Sequence, residues 1–374
     1  MDNNKAFFLK YRPIQLKDLV GQERVVKALS KQAEKGQYSH AYLLSGQVGS
    51  GKTTIARILA SLMTCEHKTD GFVCATCETC RSIHEGQCVD VIEIDAASNR
   101  GIGEARLIKD GAYYAPQSLS RKIYIIDECH ALTAFAWDAL LKIVEEPPAY
   151  IVFIFCTTGA GKVPPAILSR CQRYTFGRVP TDKIVLRLGQ VAKRENFAFD
   201  EAASLEIARM ANGSMRDALS MLEAVSVSSG GQVSVAAVRE HFGLPEKQVI
   251  YELSEMIANR DAVGLMSLVN DLLLAGVECR AIAVEISDIL RNALVFEACG
   301  KDSKLLEVNN EEKGILQQLA NKLGRTGLIQ ISRNMGRIDQ ELALNINARW
   351  ILEAQLLHCI SYVSSEVAKT KQSI

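Results

Sequence analysis

The sequence lacks the long apolar runs that would place it across a membrane. No stretch approaches the about 20 consecutive apolar residues that a helix needs to span a bilayer. The opening residues, MDNNKAFFLKYRP, do not contain the apolar segment of a signal peptide. We therefore expect a cytoplasmic protein that makes no membrane contact.

The sequence also lacks an excess of charge of either sign. Its 43 Lys and Arg residues balance 43 Asp and Glu residues. A strongly basic domain that binds nucleic acid tightly by itself is therefore not expected, although a weak DNA-facing surface, or one assembled from several subunits, remains compatible with this balance. The chain shows neither internal repeats nor low-complexity tracts. Its length of 374 residues predicts two or three domains.

What is present, in the first half of the chain, is an alternation of apolar strands and amphipathic helices. Strands are predicted at residues 41–46, 89–96, 122–127 and 151–158, and helices at 53–63, 102–112 and 135–144. Strands that are apolar on both faces belong inside a sheet that helices cover on both sides. The order of strand, loop and helix predicts a parallel α/β fold.

After about Pro180 the strand signals stop and helical periodicity takes over. Helices are predicted at residues 182–196, 201–212 and 215–227, then at 249–257, 263–275, 278–297 and 345–364. We therefore predict an α/β domain at residues 1–179, a small helical domain at 180–243 and a larger all-helical domain at 244–374.

A phosphate-binding pattern follows the first predicted strand. The run Gly46-Gln47-Val48-Gly49-Ser50-Gly51-Lys52-Thr53, with Thr54 next to it, fits G-x-x-x-x-G-K-[ST]. Its glycines let backbone N–H groups converge on phosphate oxygens, and the helix that starts here adds the positive end of its dipole. Lys52 is expected to reach the β- and γ-phosphates, and the Thr53 hydroxyl to ligate magnesium. The sequence therefore predicts an ATP site.

An acidic pair ends the third predicted strand. A phosphate-binding loop of this type needs a second magnesium ligand at the end of a neighbouring strand, and Asp127 is placed to supply it. Glu128, one residue further, is a candidate general base for the attacking water. The alternative is that the two carboxylates cap the helix that follows.

Four of the eleven cysteines are clustered. Cys65, Cys74, Cys77 and Cys80 have the spacing C-x8-C-x2-C-x2-C, and four soft ligands favour tetrahedral zinc. A site with four protein ligands is closed, and therefore structural rather than catalytic. We predict a zinc module at about residues 65–80, inserted in the α/β domain.

Other interpretations of these cysteines remain open at this point. They include free thiols and an iron–sulfur cluster, and His67, His84 or Cys88 lies close enough in sequence to replace one ligand. Most other cysteines occupy apolar helices or strands and are expected to be small buried residues. Examples are Cys156, Cys279, Cys299 and Cys359.

Three arginines are candidates for the extra cation that such ATPases often need in the transition state. Arg100 follows the second predicted strand, Arg170 lies beyond the fourth, and Arg216 lies near the start of a helix in the second domain. By spacing alone, the surface-arginine interpretation is the favoured one for each of them. Thr157 and Thr158, at a strand end, could bond the γ-phosphate or its water, or simply cap a turn.

In their order along the chain, these motifs resemble those of the AAA+ clamp-loader ATPases of bacterial replication. The resemblance runs from about Tyr11 to the end of the second domain, and more weakly through the third. Its further marks are Tyr11-Arg12-Pro13, Val20-Gly21-Gln22-Glu23, Ala139-Leu140-Leu141-Lys142, Glu145-Glu146-Pro147-Pro148, Ser169-Arg170-Cys171 and Gly213-Ser214-Met215-Arg216-Asp217.

The resemblance assigns roles to residues that spacing left open. It implies that Tyr11, Arg12 and Val20 flank the adenine and that Thr158 is the sensor 1 residue. It implies that Arg170 acts on ATP bound to an adjacent subunit, and that Arg216 is the sensor 2 residue of the lid.

The resemblance also implies cofactors and partners. They are ATP, Mg²⁺ and Zn²⁺, other clamp-loader subunits of the delta and delta-prime types, the sliding clamp and primer-template DNA. The third domain would form the collar of a hetero-oligomeric ring. A longer form in this family would add domains beyond the third, and these 374 residues do not include them.

Three alternative functions remain. A stator-type clamp-loader subunit shares the zinc module and the Ser-Arg-Cys motif, but commonly has a degraded phosphate loop. A hexameric branch-migration motor shares the loop and sensors, but should lack the four cysteines and carry strands in its third domain. A zinc-stabilised interaction protein could hold ATP as a structural ligand, although the acidic pair and sensor arginines argue against it.

Overall fold

The computed structural model describes residues 5–69, 72–301, 303, 305–306, 308, 310–344 and 347–370. Contacts divide the chain into two compact units, Met1–Ser234 and Val235–Ile374. Within the described residues, no helix combines the length and the apolarity that crossing a membrane requires.

A five-stranded parallel sheet forms the centre of the first unit. Its strands are β1 (Ala41–Gly46), β2 (Val91–Asp95), β3 (Lys122–Asp127), β4 (Ile151–Thr157) and β5 (Gln172–Phe176), in the order β2-β3-β4-β1-β5. All seven residues of β4 are buried, as expected for a strand covered on both faces. The four predicted strands are confirmed, within one or two residues at their ends.

Helices cover both faces of this sheet. They are α2 (Glu23–Lys35), α3 (Lys52–Thr64), α4 (Glu78–Glu85), α5 (Ile102–Ala112), α6 (Ala134–Glu145) and α7 (Pro165–Leu168). The first helix, α1 (Phe7–Lys10), packs instead against the helix at Met215–Ser228. Alternate residues of β4 belong to different cores: Ile154 packs with α2 and α3, whereas Phe155 packs with α5 and α6. The sheet is therefore a rigid platform for the loops at its edges.

Strand register decides which loops can meet. Ser45 of β1 pairs with Thr157 of β4, and Asp95 of β2 pairs with Asp127 of β3. Because all strands are parallel, the residues that follow β1, β3 and β4 emerge at one edge of the sheet. The segments that precede the strands lie at the opposite edge.

The rest of the first unit is mainly helical. The three predicted helices appear as α8 (Thr181–Glu195), α9 (Glu201–Met210) and α10 (Met215–Ser228). The expectation that no strand follows Pro180 is wrong in one detail, since β6 (Ala198–Phe199) pairs in parallel with β7 (Gln232–Val233). Strands of two residues are too short to leave a periodic signal.

Every element described in the second unit is a helix. They are α11 (Val235–His241), α12 (Lys247–Asn259), α13 (Ala262–Leu274), α14 (Cys279–Cys299), α15 (Asn310–Leu344) and α16 (Ala348–Thr370). A kink interrupts α15 at Gly324, whose φ is 65°. The first two residues of the helix predicted at 345–364 lie outside the described part. The predicted domain boundary at residues 243–244 stays a prediction.

Candidate nucleotide site and metal centre

The loop between β1 and α3 has a backbone that requires glycine. Gly51 takes a left-handed φ of 98° and caps α3. Gly49 has a φ of 69°, and a Cβ built on it would lie 1.9 Å from the Ser214 hydroxyl oxygen. Glycine is thus needed at residue 49 both for its conformation and for the close approach of α10.

The Lys52 side chain crosses this loop. Its ammonium donates to the carbonyl oxygens of Gly46 at 3.0 Å and Gln47 at 2.8 Å, and the residue is only 5% exposed. Ser50 Oγ also donates to the Gln47 carbonyl, at 2.8 Å. Val48, by contrast, is exposed at the loop tip. The cation is therefore held beside the backbone on which phosphates are predicted to bind.

The two predicted magnesium ligands lie in direct contact. Thr53 Oγ1 donates a hydrogen bond of 2.6 Å to Asp127 Oδ2, and Asp127 Oδ1 accepts from the Glu128 backbone N–H at 2.9 Å. A hydroxyl and a carboxylate are oxygen ligands of the kind that Mg²⁺ prefers. The donor set at this edge of the sheet fits that ion.

Glu128 lies beside the strand end that carries the two threonines. It takes a left-handed φ of 45°, which bends the chain directly after β3. Thr158 Oγ1 donates to Glu128 Oε2 at 3.2 Å. Thr157 is fully buried and accepts from the Gly159 N–H at 2.9 Å. Thr158, rather than Thr157, therefore contacts the candidate base.

A histidine that the sequence analysis overlooked completes this group. His130 Nδ1 lies 3.2 Å from Glu128 Oε2 and 3.2 Å from Thr157 Oγ1. His130 follows Glu128 by only two residues, and a tight turn at this point brings the two side chains together. This short spacing is the one feature of the sequence that could have indicated the contact.

Arg170 lies at the opposite edge of the sheet from the phosphate loop. It precedes β5, whose first residue Gln172 pairs with Tyr42, whereas the loop begins at Gly46, at the other end of β1. At about 3.3 Å per residue, the strand alone separates these edges by about 13 Å. The guanidinium bonds the Ala166 carbonyl at 2.7 Å and forms an ion pair with Glu145.

The other two arginines occupy different surroundings. Arg216 lies in the first turn of α10, beside the phosphate loop, and its guanidinium lies 4.9 Å from the centre of the Phe8 ring. Its Cβ would be 3.3 Å from a Cβ at Gly49. Arg100 instead donates to the carbonyl of Ala97 at 2.6 Å, within its own loop.

The N-terminal segment links the α/β domain to the lid helices. The Tyr11 hydroxyl donates to Glu195 on α8, and burial together with this carboxylate raises the pKa of Tyr11 to about 12. Burial and the nearby Arg57 lower the pKa of Arg12, while Asp127 acts in the opposite direction. Val20, the third predicted adenine neighbour, is half-buried.

The four clustered cysteines converge on one point. Their sulfur atoms all lie within 4.8 Å of one another, with 3.7 Å between Cys65 and Cys74 and 3.9 Å between Cys74 and Cys80. Zinc–sulfur bonds of about 2.3 Å give a tetrahedron with edges of about 3.8 Å. The cluster is therefore compatible with a single zinc ion, which Cys65, Cys74, Cys77 and Cys80 would hold.

Backbone amides support the thiolate form of this cluster. Cys74 Sγ accepts from the Cys77 N–H at 3.3 Å, and Cys77 Sγ accepts from the Cys80 N–H at 3.4 Å. Hydrogen bonds from the Thr76 and Cys77 amides lower the pKa of Cys74 to about 6. Burial raises the pKa of Cys80. A cation shared by all four sulfurs would offset the free-energy cost of burying the Cys80 thiolate.

The alternative ligands do not join the cluster. Among the described residues, the four-sulfur group does not include His67, His84 or Cys88. Residues 70 and 71 of the predicted zinc module lie outside the described residues. For the remaining cysteines the expectation of burial holds for Cys156 and Cys359. It is wrong for Cys299, which is exposed, and only partly right for Cys279.

Three family models match the chain in succession. Residues 21–180 match "DNA polymerase III, delta subunit". Residues 183–230 match "DNA polymerase III clamp loader subunit, ATPase lid domain". Residues 233–364 match "DNA polymerase III subunits gamma and tau domain III".

Curated relatives are similar over most of the chain. DNA polymerase III subunit gamma of Buchnera aphidicola (Schizaphis graminum) is 34% identical, covering 96% of this chain and 99% of its own length. The tau subunit of Bacillus subtilis is 34% identical over 94% of this chain. That of Escherichia coli is 37% identical over 81% of this chain. The chain spans only 62% and 48% of these two tau proteins.

Among solved structures, the Thermotoga maritima RuvB Holliday junction branch migration motor covers 71% of this chain, with 22% identity and a TM-score of 0.47. The aligned part makes up 85% of the RuvB chain. A similarity of this size carries no argument about function.

The chain belongs to the DNA polymerase III gamma/tau family, a family of clamp-loader ATPase subunits. The expected AAA+ α/β domain, helical lid domain and all-helical third domain are confirmed.

Proposed function

We propose that the chain is an ATP-driven motor subunit of a bacterial replicative clamp loader, which hydrolyses ATP to load the sliding clamp onto primed DNA. In this proposal it works in a hetero-oligomeric ring with delta- and delta-prime-type subunits, in the cytoplasm. ATP binds at an interface between subunits, and each chain provides one half of two different sites.

The phosphate-loop edge provides the binding half. Lys52 already lies against the Gly46 and Gln47 carbonyls, where a γ-phosphate would draw its ammonium forward. Thr53 and Asp127 would hold Mg²⁺, which when bound neutralises charge on the β- and γ-phosphates. Their existing hydrogen bond keeps both oxygens at one point.

Glu128 supplies the base in this half of the site. Its carboxylate follows β3 directly and is oriented by the Thr158 hydroxyl. A carboxylate that is held beside the γ-phosphate can accept the proton of the attacking water. Thr158 would therefore link the state of the base to the state of the phosphate.

The observation that carries the proposal is the placement of Arg170. The parallel register of β1 and β5 puts this arginine at the edge of the sheet opposite to its own phosphate loop. An arginine side chain cannot bridge a strand of about 13 Å together with the loop beyond it. An Arg170 that acts on ATP must therefore act on the ATP of a neighbouring chain.

Arg216 provides a second cation, from the lid. It lies in the first turn of α10, and Ser214, the N-cap of this helix, lies against Gly49 of the phosphate loop. Phosphate bound in this loop lies within reach of an arginine on the adjoining helical turn. Lid position and nucleotide binding would be coupled through this contact.

The remaining parts have structural roles in the proposal. The zinc module fixes the connection between α3 and β2. The second unit contains its own apolar core, yet Val263, Leu274 and Trp350 are 83%, 78% and 68% exposed. Contacts with further subunits, as a collar would make, would cover such side chains.

A mixing experiment tests the shared site. Lys52→Ala and Arg170→Ala variants should each lose most ATPase activity in a complex reconstituted with delta- and delta-prime-type subunits. When the two variants are mixed, interfaces that pair an intact loop with an intact arginine should form and restore part of the activity. ATP-analogue binding by Arg170→Ala alone should remain near the wild-type level.

The same assay separates the alternatives. A stator-type subunit, or a protein that holds ATP structurally, predicts ATPase rates unchanged by Lys52→Ala. Clamp loading onto primed DNA, followed with labelled clamp, separates a loader from a branch-migration motor. Normal loading by the Arg170→Ala variant would contradict the role in trans.

A further inference from the structure

His130 shares an acceptor with Thr158. Both His130 Nδ1 and Thr158 Oγ1 lie 3.2 Å from the same carboxylate oxygen, Glu128 Oε2. Within the described residues, the other oxygen, Oε1, accepts no hydrogen bond. The carboxylate is therefore held on one side only.

The chain reverses direction to bring the imidazole back to the carboxylate. Glu128 adopts a left-handed conformation, and a single 3₁₀ turn follows over Cys129–Ala131. The Ala131 N–H closes this turn on the Glu128 carbonyl at 2.9 Å. Left-handed backbone costs energy for a residue with a side chain, and such strain tends to occur at functional sites.

The hydrogen-bond partners determine the histidine tautomer. A carboxylate only accepts, so the imidazole must carry a proton on Nδ1 for a favourable contact. Thr157 Oγ1, also 3.2 Å from Nδ1, shares this donor and itself accepts from the Gly159 N–H. The buried hydroxyl thus holds the ring in the plane that faces Glu128.

We propose that His130 is a positioning residue for Glu128. Together with Thr158 it fixes Oε2, so that Oε1 is directed to the water that attacks the γ-phosphate. This inference rests on the proposed ATPase function and adds to it a residue that acts through the base.

The same histidine contacts the turn after β4. A Cβ at Gly159 would meet His130 Cβ and Cγ at 3.6 Å, and Lys162 Cδ at 3.7 Å. This turn leads into α7, after which Arg170 follows. His130 therefore lies between the candidate base and the segment that carries the arginine directed to a neighbouring chain.

Steady-state ATPase kinetics of the reconstituted complex test the proposal. We expect His130→Ala to lower kcat at least 10-fold, with less than a 2-fold change in the KM for ATP, because the carboxylate loses orientation but the nucleotide contacts remain. His130→Asn places an amide N–H near the position of Nδ1 and should recover most of kcat. His130→Gln carries its amide one bond further out and should not.

One double variant and one control variant test whether the effect is specific to Glu128. In a Glu128→Gln background, His130→Ala should have little further effect, since the residue acts through Glu128. His40→Asn, an exposed histidine at the other edge of the sheet, should leave the kinetics unchanged.

Several results would overturn the proposal. They are a kcat within 2-fold of wild type for His130→Ala, a parallel rise in KM, equal rates for the Asn and Gln variants, or an undiminished effect in the Glu128→Gln background. If His130→Ala fails to fold, the kcat values of His130→Asn and His130→Gln still test the proposal. Lys52→Ala in the same assay reports separately on the proposed function, because an unaffected rate there would remove the ATPase itself.

Discussion

Thr53 and Asp127 are joined by a hydrogen bond of 2.6 Å, although they lie 74 positions apart along the chain. The bond ties the first turn of α3 to the end of β3. It brings together one residue from the phosphate-loop motif and one from the acidic pair. Each motif is suggestive by itself, and the contact makes them parts of one site.

Removing the Thr53 hydroxyl should weaken magnesium-dependent catalysis. Thr53→Val keeps the shape of the side chain but loses the donor, and we expect kcat to fall on the order of 10²-fold, with a higher Mg²⁺ requirement. Thr53→Ser retains the hydroxyl and serves as the matched control. Titrating Mg²⁺ while measuring ATPase activity gives both kcat and the Mg²⁺ concentration that each variant requires. Equal magnesium dependence in the Val and Ser variants would refute this role.

Adding one methyl group at Gly49 should disturb both the loop and the lid. Gly49→Ala forces a side chain into a left-handed conformation and into the Ser214 hydroxyl. We expect ATP-analogue affinity, measured by fluorescence titration, to fall about 10-fold or more. Ser214→Gly in the same chain removes the collision but not the strain, so recovery should be partial.

Gly36→Ala is the control for strain alone. Gly36 has a φ of 63°, and a Cβ there would meet no atom within 4 Å. This variant should lower the free energy of unfolding slightly and leave nucleotide affinity intact. A comparable loss of affinity at both positions would mean that contact with α10 does not matter.

Breaking the cysteine cluster should release metal and destabilise the first unit. Cys74→Ser is expected to lower zinc content, measured by atomic emission, from one ion per chain to well below one, and to lower Tm. Cys88→Ser, a nearby cysteine outside the cluster, should keep both values. Zinc retained at one equivalent in Cys74→Ser would contradict the four-cysteine assignment.

The buried carboxylate of Asp90 should make stability depend on pH. Burial raises its pKa, but N–H groups of Gln117, Ser118 and Leu119 lower it more, so that the net pKa lies below the usual value. The folded state then favours the ionised form. Its contribution is complete above the pKa of the unfolded chain, about 3.9, and is lost as pH falls through the lower folded value.

Asp90→Asn tests this linkage. We expect it to lower the free energy of unfolding by about 1–3 kcal/mol at pH 7, because buried N–H groups lose a charged acceptor. Urea denaturation at pH 7 and below pH 4 should show the difference from wild type narrowing in acid. A difference that stays constant with pH would mean that packing, rather than charge, explains the loss.

The apolar strands and the glycine loop were predictable because local pattern determines them. β4 is apolar at nearly every position, and the signal of Gly49 and Gly51 reflects a backbone that other residues cannot adopt. The amino-acid pattern of β5 is weaker, since only Tyr174 and Phe176 are buried in this edge strand. Burial on one face leaves too short an alternation to distinguish it from a loop.

Contacts inside the site were not predictable in the same way. The left-handed turn at Glu128 brings His130 to the Glu128 carboxylate. The spacing of apolar residues in the sequence does not predict this turn. Thr157 ends β4 and contacts His130, whereas Thr158 lies in the bend that follows and bonds Glu128. Only the tertiary structure determines which of these two neighbouring threonines meets the carboxylate. The ion pair between Arg170 and Glu145 depends likewise on tertiary structure.

The direction of one strand has a consequence for assembly. Arg170 lies just before β5, and the phosphate loop follows β1 at the opposite edge of the sheet, so the proposed arginine donor and the proposed phosphate site lie at different edges. If each chain gives its arginine to one neighbour and receives an arginine from another, as proposed, the interface is heterologous and the chains form a closed ring or an open arc. An open arc of such chains always has one fewer complete site than it has chains, unless a different subunit occupies the unpaired end.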